Sequence, residues 1–122
     1  MPSPTQLVGN RGEALAKAYL EKQGFRFLEH QWRCRYGEID LIMKEDDEIV
    51  FVEVKLRANN AYGHPEEMVS YAKARKLSRT AKSYMYKKRL ENTFWRFDTI
   101  AITGDLIDHE IAHFKDTVRE EG

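Results

Sequence analysis

The sequence is short of several things, and each shortage removes a class of function. Cys34 is the only cysteine, so an intramolecular disulfide is excluded and a cysteine-based metal knuckle has no second ligand. A reduced, structural thiol is expected there. Prolines number three, and no repeat, low-complexity tract or linker-like stretch interrupts the chain. No apolar run approaches the ~18 residues that cross a bilayer. The start, Met1-Pro2-Ser3-Pro4, lacks the basic-then-apolar layout of a secretory signal. The expectation is a cytoplasmic protein with no membrane segment. Net charge is also missing, since the formal total is zero.

What is present fits one globular domain covering residues 1–122. The chain is 42% hydrophobic and 33% charged, an ordinary balance for a folded protein and far from a disordered one. The zero net charge conceals segregation. Between Ser70 and Arg89 stand eight bases (Lys73, Arg75, Lys76, Arg79, Lys82, Lys87, Lys88, Arg89) and no acid, whereas Glu38 to Glu53 carries seven acids against one base. A basic face beside an acidic pocket suits a polyanion held near a metal ion.

Periodicity gives the order helix, three strands, helix, two strands. A first helix is expected from about Gln6 to Gln23, with Ala14, Leu15, Ala18 and Leu20 as its apolar side and Gly24 as its stop. Phe25 to Trp32 reads as a strand. Glu38–Lys44 and Ile49–Arg57 alternate around the acidic turn Glu45-Asp46-Asp47-Glu48, which is a hairpin signal. Asn59 to Pro65 is loop-like, Ser70 is a suitable N-cap, and a basic helix runs to about Arg89. Phe94 to Ile102 is a strand. In Leu106–Val118 the positions Ile107, Ile111, Phe114 and Val118 fit a helix as well as the alternation fits a strand, and periodicity alone favours the helix.

Opposed residues in an antiparallel hairpin have numbers that add to a constant, and a turn centred on Asp46-Asp47 sets that constant at 93. Ile39–Val54, Leu41–Val52 and Met43–Val50 then form one apolar face. The other face pairs Glu38 with Lys55, Asp40 with Glu53, and Ile42 with Phe51. Facing carboxylates destabilise a sheet unless one takes up a proton or both bind a cation. Mg²⁺ prefers hard oxygen ligands of this kind. A solvated face on which Glu38 merely pairs with Lys55 explains the same residues, and on spacing alone the two readings balance. Ile42 and Phe51 argue for burial of that face, with a helix on each side of the sheet and the acids at a cleft edge.

Gly37-Glu38-Ile39-Asp40-Leu41-Ile42 followed by Phe51-Val52-Glu53-Val54-Lys55 resembles the PD-(D/E)xK nuclease superfamily, and within it the bacterial YraN family. Gly12-Glu13, Ala16, Gly24-Phe25, Arg33 and Arg96-Phe97-Asp98 extend the likeness over nearly the whole chain. It implies a restriction-endonuclease-like α/β fold, a three-layer α/β/α arrangement with a mixed sheet of about five strands in the order αβββαββ, similar to archaeal Holliday-junction resolvases. It also makes Leu106–His113 a strand, against the periodicity. By the same resemblance Asp40 and Glu53, with the Val54 carbonyl, would bind Mg²⁺ or Mn²⁺. Lys55 would orient water or stabilise the charged transition state, and Glu13 would match the resolvases' first-helix glutamate. DNA, including branched DNA, is the implied substrate, and a homodimer would suit symmetric cutting of two strands. Ile39 replaces the superfamily's proline, and Gln31 stands where the family more often has asparagine.

Other readings compete residue by residue. Glu13 alone is more simply the i,i+4 partner of Lys17. Arg96 and Asp98 read first as a structural ion pair. Arg33, Lys73, Lys76 and Arg79 are the expected nucleic-acid contacts, with Tyr71, Tyr84 and Tyr86 interleaved for stacking and Tyr84 the best core candidate. A non-catalytic nucleic-acid-binding protein is the main alternative to a nuclease. His109-Glu110-Ile111-Ala112-His113 spells the HExxH of zinc proteases. It is set aside because only nine residues follow it, none a histidine.

Overall fold

In the computed structural model of the chain, residues 4–57, 71–105 and 107–118 are described. They form α1 (Pro4–Lys22), β1 (Arg26–Cys34), β2 (Gly37–Glu45), β3 (Glu48–Arg57), α2 (Tyr71–Lys87), β4 (Trp95–Gly104) and β5 (His109–Phe114). The Asn59–Pro65 loop, the Ser70 cap and the Tyr71 side chain lie outside the described residues. The strands make one sheet in the order β1-β2-β3-β4-β5. Only β3 and β4 run parallel, as the long crossover containing α2 requires. With α1 on one face and α2 on the other, this is the three-layer restriction-endonuclease-like arrangement.

Each helix is held by its own buried cluster. Ala16 and Leu20 of α1 pack with Leu41, Met43, Val50, Val52, Ile100 and Ile102. On the other face Ala81, Tyr84 and Met85 of α2 pack with Ile39, Ile42, Ile49, Phe51 and Phe97. Ala14 and Ala18, expected on the apolar side of α1, are exposed. The buried stripe is Gly12, Ala16 and Leu20, one turn apart. Alanine is too small to reveal a face by its presence alone. Gly24 does end α1, at φ +98°, with the Phe25 N–H donating to the Leu20 carbonyl at 3.0 Å, a glycine C-cap.

The hairpin register holds and then stops. Glu45–Glu48, Lys44–Ile49, Met43–Val50, Ile42–Phe51 and Leu41–Val52 all pair as the constant 93 requires. The next expected rungs, Asp40–Glu53, Ile39–Val54 and Glu38–Lys55, are absent from the ladder. Ile39 is buried on the α2 face with Ile42, not beside Leu41 as strict alternation predicted. The neighbouring strand changes at the same place. Gln31 has φ +49°, between the β1–β2 rungs His30–Leu41 and Trp32–Ile39. The two strands turn over together there, and β2 leaves β3.

The C-terminal segment is a strand, antiparallel to β4 through Ile102–Ile111 and its neighbours, so helical periodicity was misleading. Pairing with β4 satisfies its backbone, and Asp105 Oδ1 fixes the preceding turn by accepting the Ile107 and Asp108 N–H groups at 2.8 and 2.6 Å. Arg96 and Asp98 are structural, as their spacing suggested. Arg96 Nε donates to Asp98 Oδ1 at 2.9 Å, and its other nitrogens reach Glu45 at 2.9 Å and Glu48 at 2.5 Å, which ties the hairpin turn to β4. No described helix is long and apolar enough to cross a membrane.

Candidate active site

Where β2 parts from β3, a carboxylate replaces a rung of the ladder. Asp40 Oδ2 accepts the Val54 N–H at 2.8 Å. A strand residue's N–H and C=O point to the same edge, so the Val54 carbonyl also faces this gap. Glu53, by alternation, projects from the α2 face of the sheet beside Phe51. Its Oε2 is buried with no hydrogen-bond partner. Glu38, Ile39, Asp40, Val52, Glu53, Lys73, Leu77 and Phe97 enclose a cleft of about 100 Å³.

Charge is concentrated there. Burial, then the nearby charges of Glu13, Glu53 and Glu38, push the Asp40 carboxyl up to about 6 against the Val54 hydrogen bond. The Glu13 carboxyl is also raised, by burial first and by Glu38, against the Gln31 hydrogen bond that lowers it. Gln31 Nε2 donates to Glu13 Oε1 at 3.1 Å and to Asn10 Oδ1 at 2.7 Å. The helix-internal partner expected for Glu13 is elsewhere, because Lys17 Nζ lies 4.4 Å from the centre of the Phe27 ring. Gly12 lets α1 approach β3 closely, since a Cβ there would sit 2.7 Å from a Leu56 methyl.

Two lysines reach Glu53 Oε1, and sequence reasoning placed only one of them. Lys55 is 8% exposed, with Nζ 3.9 Å from that oxygen. Burial lowers its pKa, helped by Lys73 and Arg57 and opposed by Glu53. It does not pair with Glu38, which instead bonds Arg33 at 2.6 Å on the surface. Lys73, expected on the nucleic-acid face, enters the cleft and lies 2.5 Å from Glu53 Oε1. Its place at the start of the basic helix was the available signal. For Gln31 the signal was indirect: glutamine does not announce a positive φ, but the asparagine more usual there in the family does.

The remaining candidates separate. Lys76, Arg79 and Tyr86 are exposed on α2, while Tyr84 is buried against Trp32 and Phe51. His113 Nε2 lies 2.7 Å from Asp98 Oδ2 in a strand, so the HExxH residues do not have the helical geometry a zinc protease needs. Among the described residues no group of three or more His, Cys, Asp and Glu is placed to hold a metal. At the hairpin the donors are two carboxylates and the Val54 carbonyl. The orphaned Glu53 oxygen and the mutual repulsion around Asp40 fit a hard divalent cation.

Comparison with known proteins gives relatives over most of the chain. A UPF0102 protein of Vibrio parahaemolyticus is 51% identical over 96 residues, covering 78% of this chain and 79% of its own. One from Clostridium tetani is 46% identical over 102 residues, 84% of both chains. One from Myxococcus xanthus is 38% identical over 103 residues, 84% and 82% of the two chains. Among solved structures, Pyrococcus furiosus SfsA in complex with Ca²⁺ is similar with a TM-score of 0.41 and 13% identity, over 91% of this chain and 63% of that one. The sequence profile of the uncharacterised protein family UPF0102, the YraN family, matches residues 12–102, and the chain belongs to that family.

Proposed function

We propose that this protein is a Mg²⁺- or Mn²⁺-dependent nuclease that hydrolyses phosphodiester bonds in DNA. The observation that carries the reading is the meeting of Asp40, the partnerless Glu53 oxygen and the buried Lys55 ammonium where β2 leaves β3. Asp40, Glu53 and the Val54 carbonyl would hold the cation, which would polarise a phosphoryl oxygen and make bound water more acidic. Lys55, kept dry by burial, supplies a fixed positive charge to the phosphate as negative charge develops. The Val54 N–H fixes one Asp40 oxygen and so orients the other. Glu13, held by Gln31, lines the adjoining cleft beside Leu41 and acts on Asp40 through its charge, where it would provide a further acceptor for a water.

The alternative, a nucleic-acid-binding protein without catalysis, is favoured by one contact. Lys73 already occupies Glu53 Oε1. The two readings separate in a cleavage assay on single-stranded, duplex, flap and four-way DNA, with Mg²⁺, with Mn²⁺ and with chelator. Metal-dependent cutting that disappears in Asp40→Asn supports the nuclease. Binding without cutting under every condition supports the alternative.

A further inference from the structure

On the outer side of α2 lies a second, wider cleft of about 700 Å³, lined by Arg35, Tyr36, Arg79, Lys82, Ser83 and Tyr86. Three of the six side chains are cationic and none is acidic. Arg35 and Tyr36 form the turn between β1 and β2. This turn lies directly on α2, where a Cβ on Gly37 would sit 3.2 Å from Thr80 Oγ1. Arg79 has no ion-pair partner among the described residues. Arg35 Nη2 donates to the Tyr36 hydroxyl at 2.7 Å with its guanidinium 4.8 Å from that ring's centre. This contact holds the arginine in place and leaves further N–H groups to reach a phosphate. Tyr86 is 74% exposed, a large ring that the fold leaves uncovered.

We propose that this cleft holds an unpaired strand of nucleic acid, with phosphates on Arg35, Arg79 and Lys82 and a base stacked on Tyr86. Cations alone would suit any polyanion. The exposed ring selects within that class, because bases in a duplex already stack on one another and only an unpaired base offers a free face to a side chain. The position agrees. The same two segments border both clefts: the β1–β2 turn with the start of β2, from Tyr36 to Asp40, and the stretch of α2 from Lys73 to Tyr86. Lys73 and Arg79 are six residues apart, about 9 Å along a helix, which at most about three nucleotides span even at the compact ~3.4 Å per-strand spacing of a duplex. A strand leaving the Asp40–Glu53 cleft along α2 therefore reaches Arg79 within a few nucleotides. The inference rests on the nuclease reading for its substrate and names the part of that substrate: an unpaired arm beside the cut.

The test measures binding apart from cutting. Full-length protein in chelator, with no divalent ion, is titrated with a fluorescent oligothymidylate and with a blunt duplex of equal length. Tyr86→Ala should weaken oligothymidylate binding about 5- to 100-fold, Tyr86→Phe should restore it, and duplex binding should change less than about twofold. Arg79→Gln should lower the salt slope by about one unit. Unchanged oligothymidylate affinity in Tyr86→Ala and Arg79→Gln overturns the proposal, as does equal weakening on duplex and single strand. Cleavage by the same wild-type protein with Mg²⁺ is scored separately. Tyr86-dependent binding without cutting leaves the cleft standing and removes the nuclease. Cutting with Tyr86-independent binding does the reverse.

Discussion

Asp40 Oδ2 and the Val54 N–H are joined by a 2.8 Å hydrogen bond at the first position where the β2–β3 ladder has ended. The side chain takes the place of a backbone rung, and this holds a carboxylate in the gap between two strands. The like charges around it make the gap costly in the metal-free protein.

That cost has a pH signature. The Asp40 carboxyl is raised from 3.8 to about 6, so between these values the folded protein binds more protons than the unfolded chain, and stability falls as pH rises through the window. At neutral pH the loss is at most about 3 kcal/mol. Metal-free Asp40→Asn should therefore be at least as stable as wild type at pH 7.5 by urea denaturation, with a flatter profile from pH 4 to 6. Strong destabilisation of this variant at neutral pH would contradict the electrostatic picture.

Ile39 is 2% exposed and packs with Ile42, Phe51 and Phe97 under α2. Ile39→Asp should destabilise the protein by at least about 3 kcal/mol, since it buries a charge with no partner. A neutral result in the same denaturation assay would mean that Ile39 is not buried under α2.

Asp98 behaves oppositely to Asp40. Although burial raises its pKa, the hydrogen bonds from His113, Arg96 and the Asp116 N–H outweigh it and hold the carboxyl below 3.8. Its stabilisation is present above that value and is lost as pH falls below it. His113→Ala should cost about 1–3 kcal/mol by removing the shorter of two side-chain hydrogen bonds to Oδ2 of a buried acid, leaving only the 3.1 Å bond from Arg96 Nη2. It should leave metal content and DNA cleavage unchanged. Zinc that copurifies with wild type and vanishes with His113 would contradict this assignment.

Lys73 sits 2.5 Å from Glu53 Oε1, where it competes with a bound cation for the same oxygen. Lys73→Met should tighten Mn²⁺ binding, measured calorimetrically, because removing a neighbouring positive charge favours the ion. Weaker Mn²⁺ binding would show instead that the lysine orders the carboxylate for the metal.

Sequence legibility followed the physics of each element. The turn Asp46-Asp47 set the hairpin register over five rungs, because one acidic turn between two alternating apolar segments admits few alignments. The same rule failed beyond Leu41, beside Gln31, whose positive φ its side chain does not signal. Asp40, Glu53 and Lys55 were legible as a cluster. Lys73 was not, since its entry into the cleft depends on how α2 packs over Phe97 and Phe51. Period could not decide β5, because Ile107, Ile111 and Phe114 satisfy a helical spacing as well as the alternation of a strand, and the family likeness tipped the balance to the strand.

Lys55 offers the most direct test of the site as a catalytic centre. It is buried beside Glu53 and, as a cation, is not a metal ligand. Single-turnover cleavage of a DNA that the wild type cuts, measured with Mg²⁺ at saturating protein, should slow by roughly 10²–10³-fold in Lys55→Ala while Mg²⁺ and DNA affinities hold. Lys55→Arg should recover part of the rate, because its planar fork places the charge differently. A Lys55→Ala protein that cleaves at the wild-type rate would contradict the account and leave this cluster without a catalytic role.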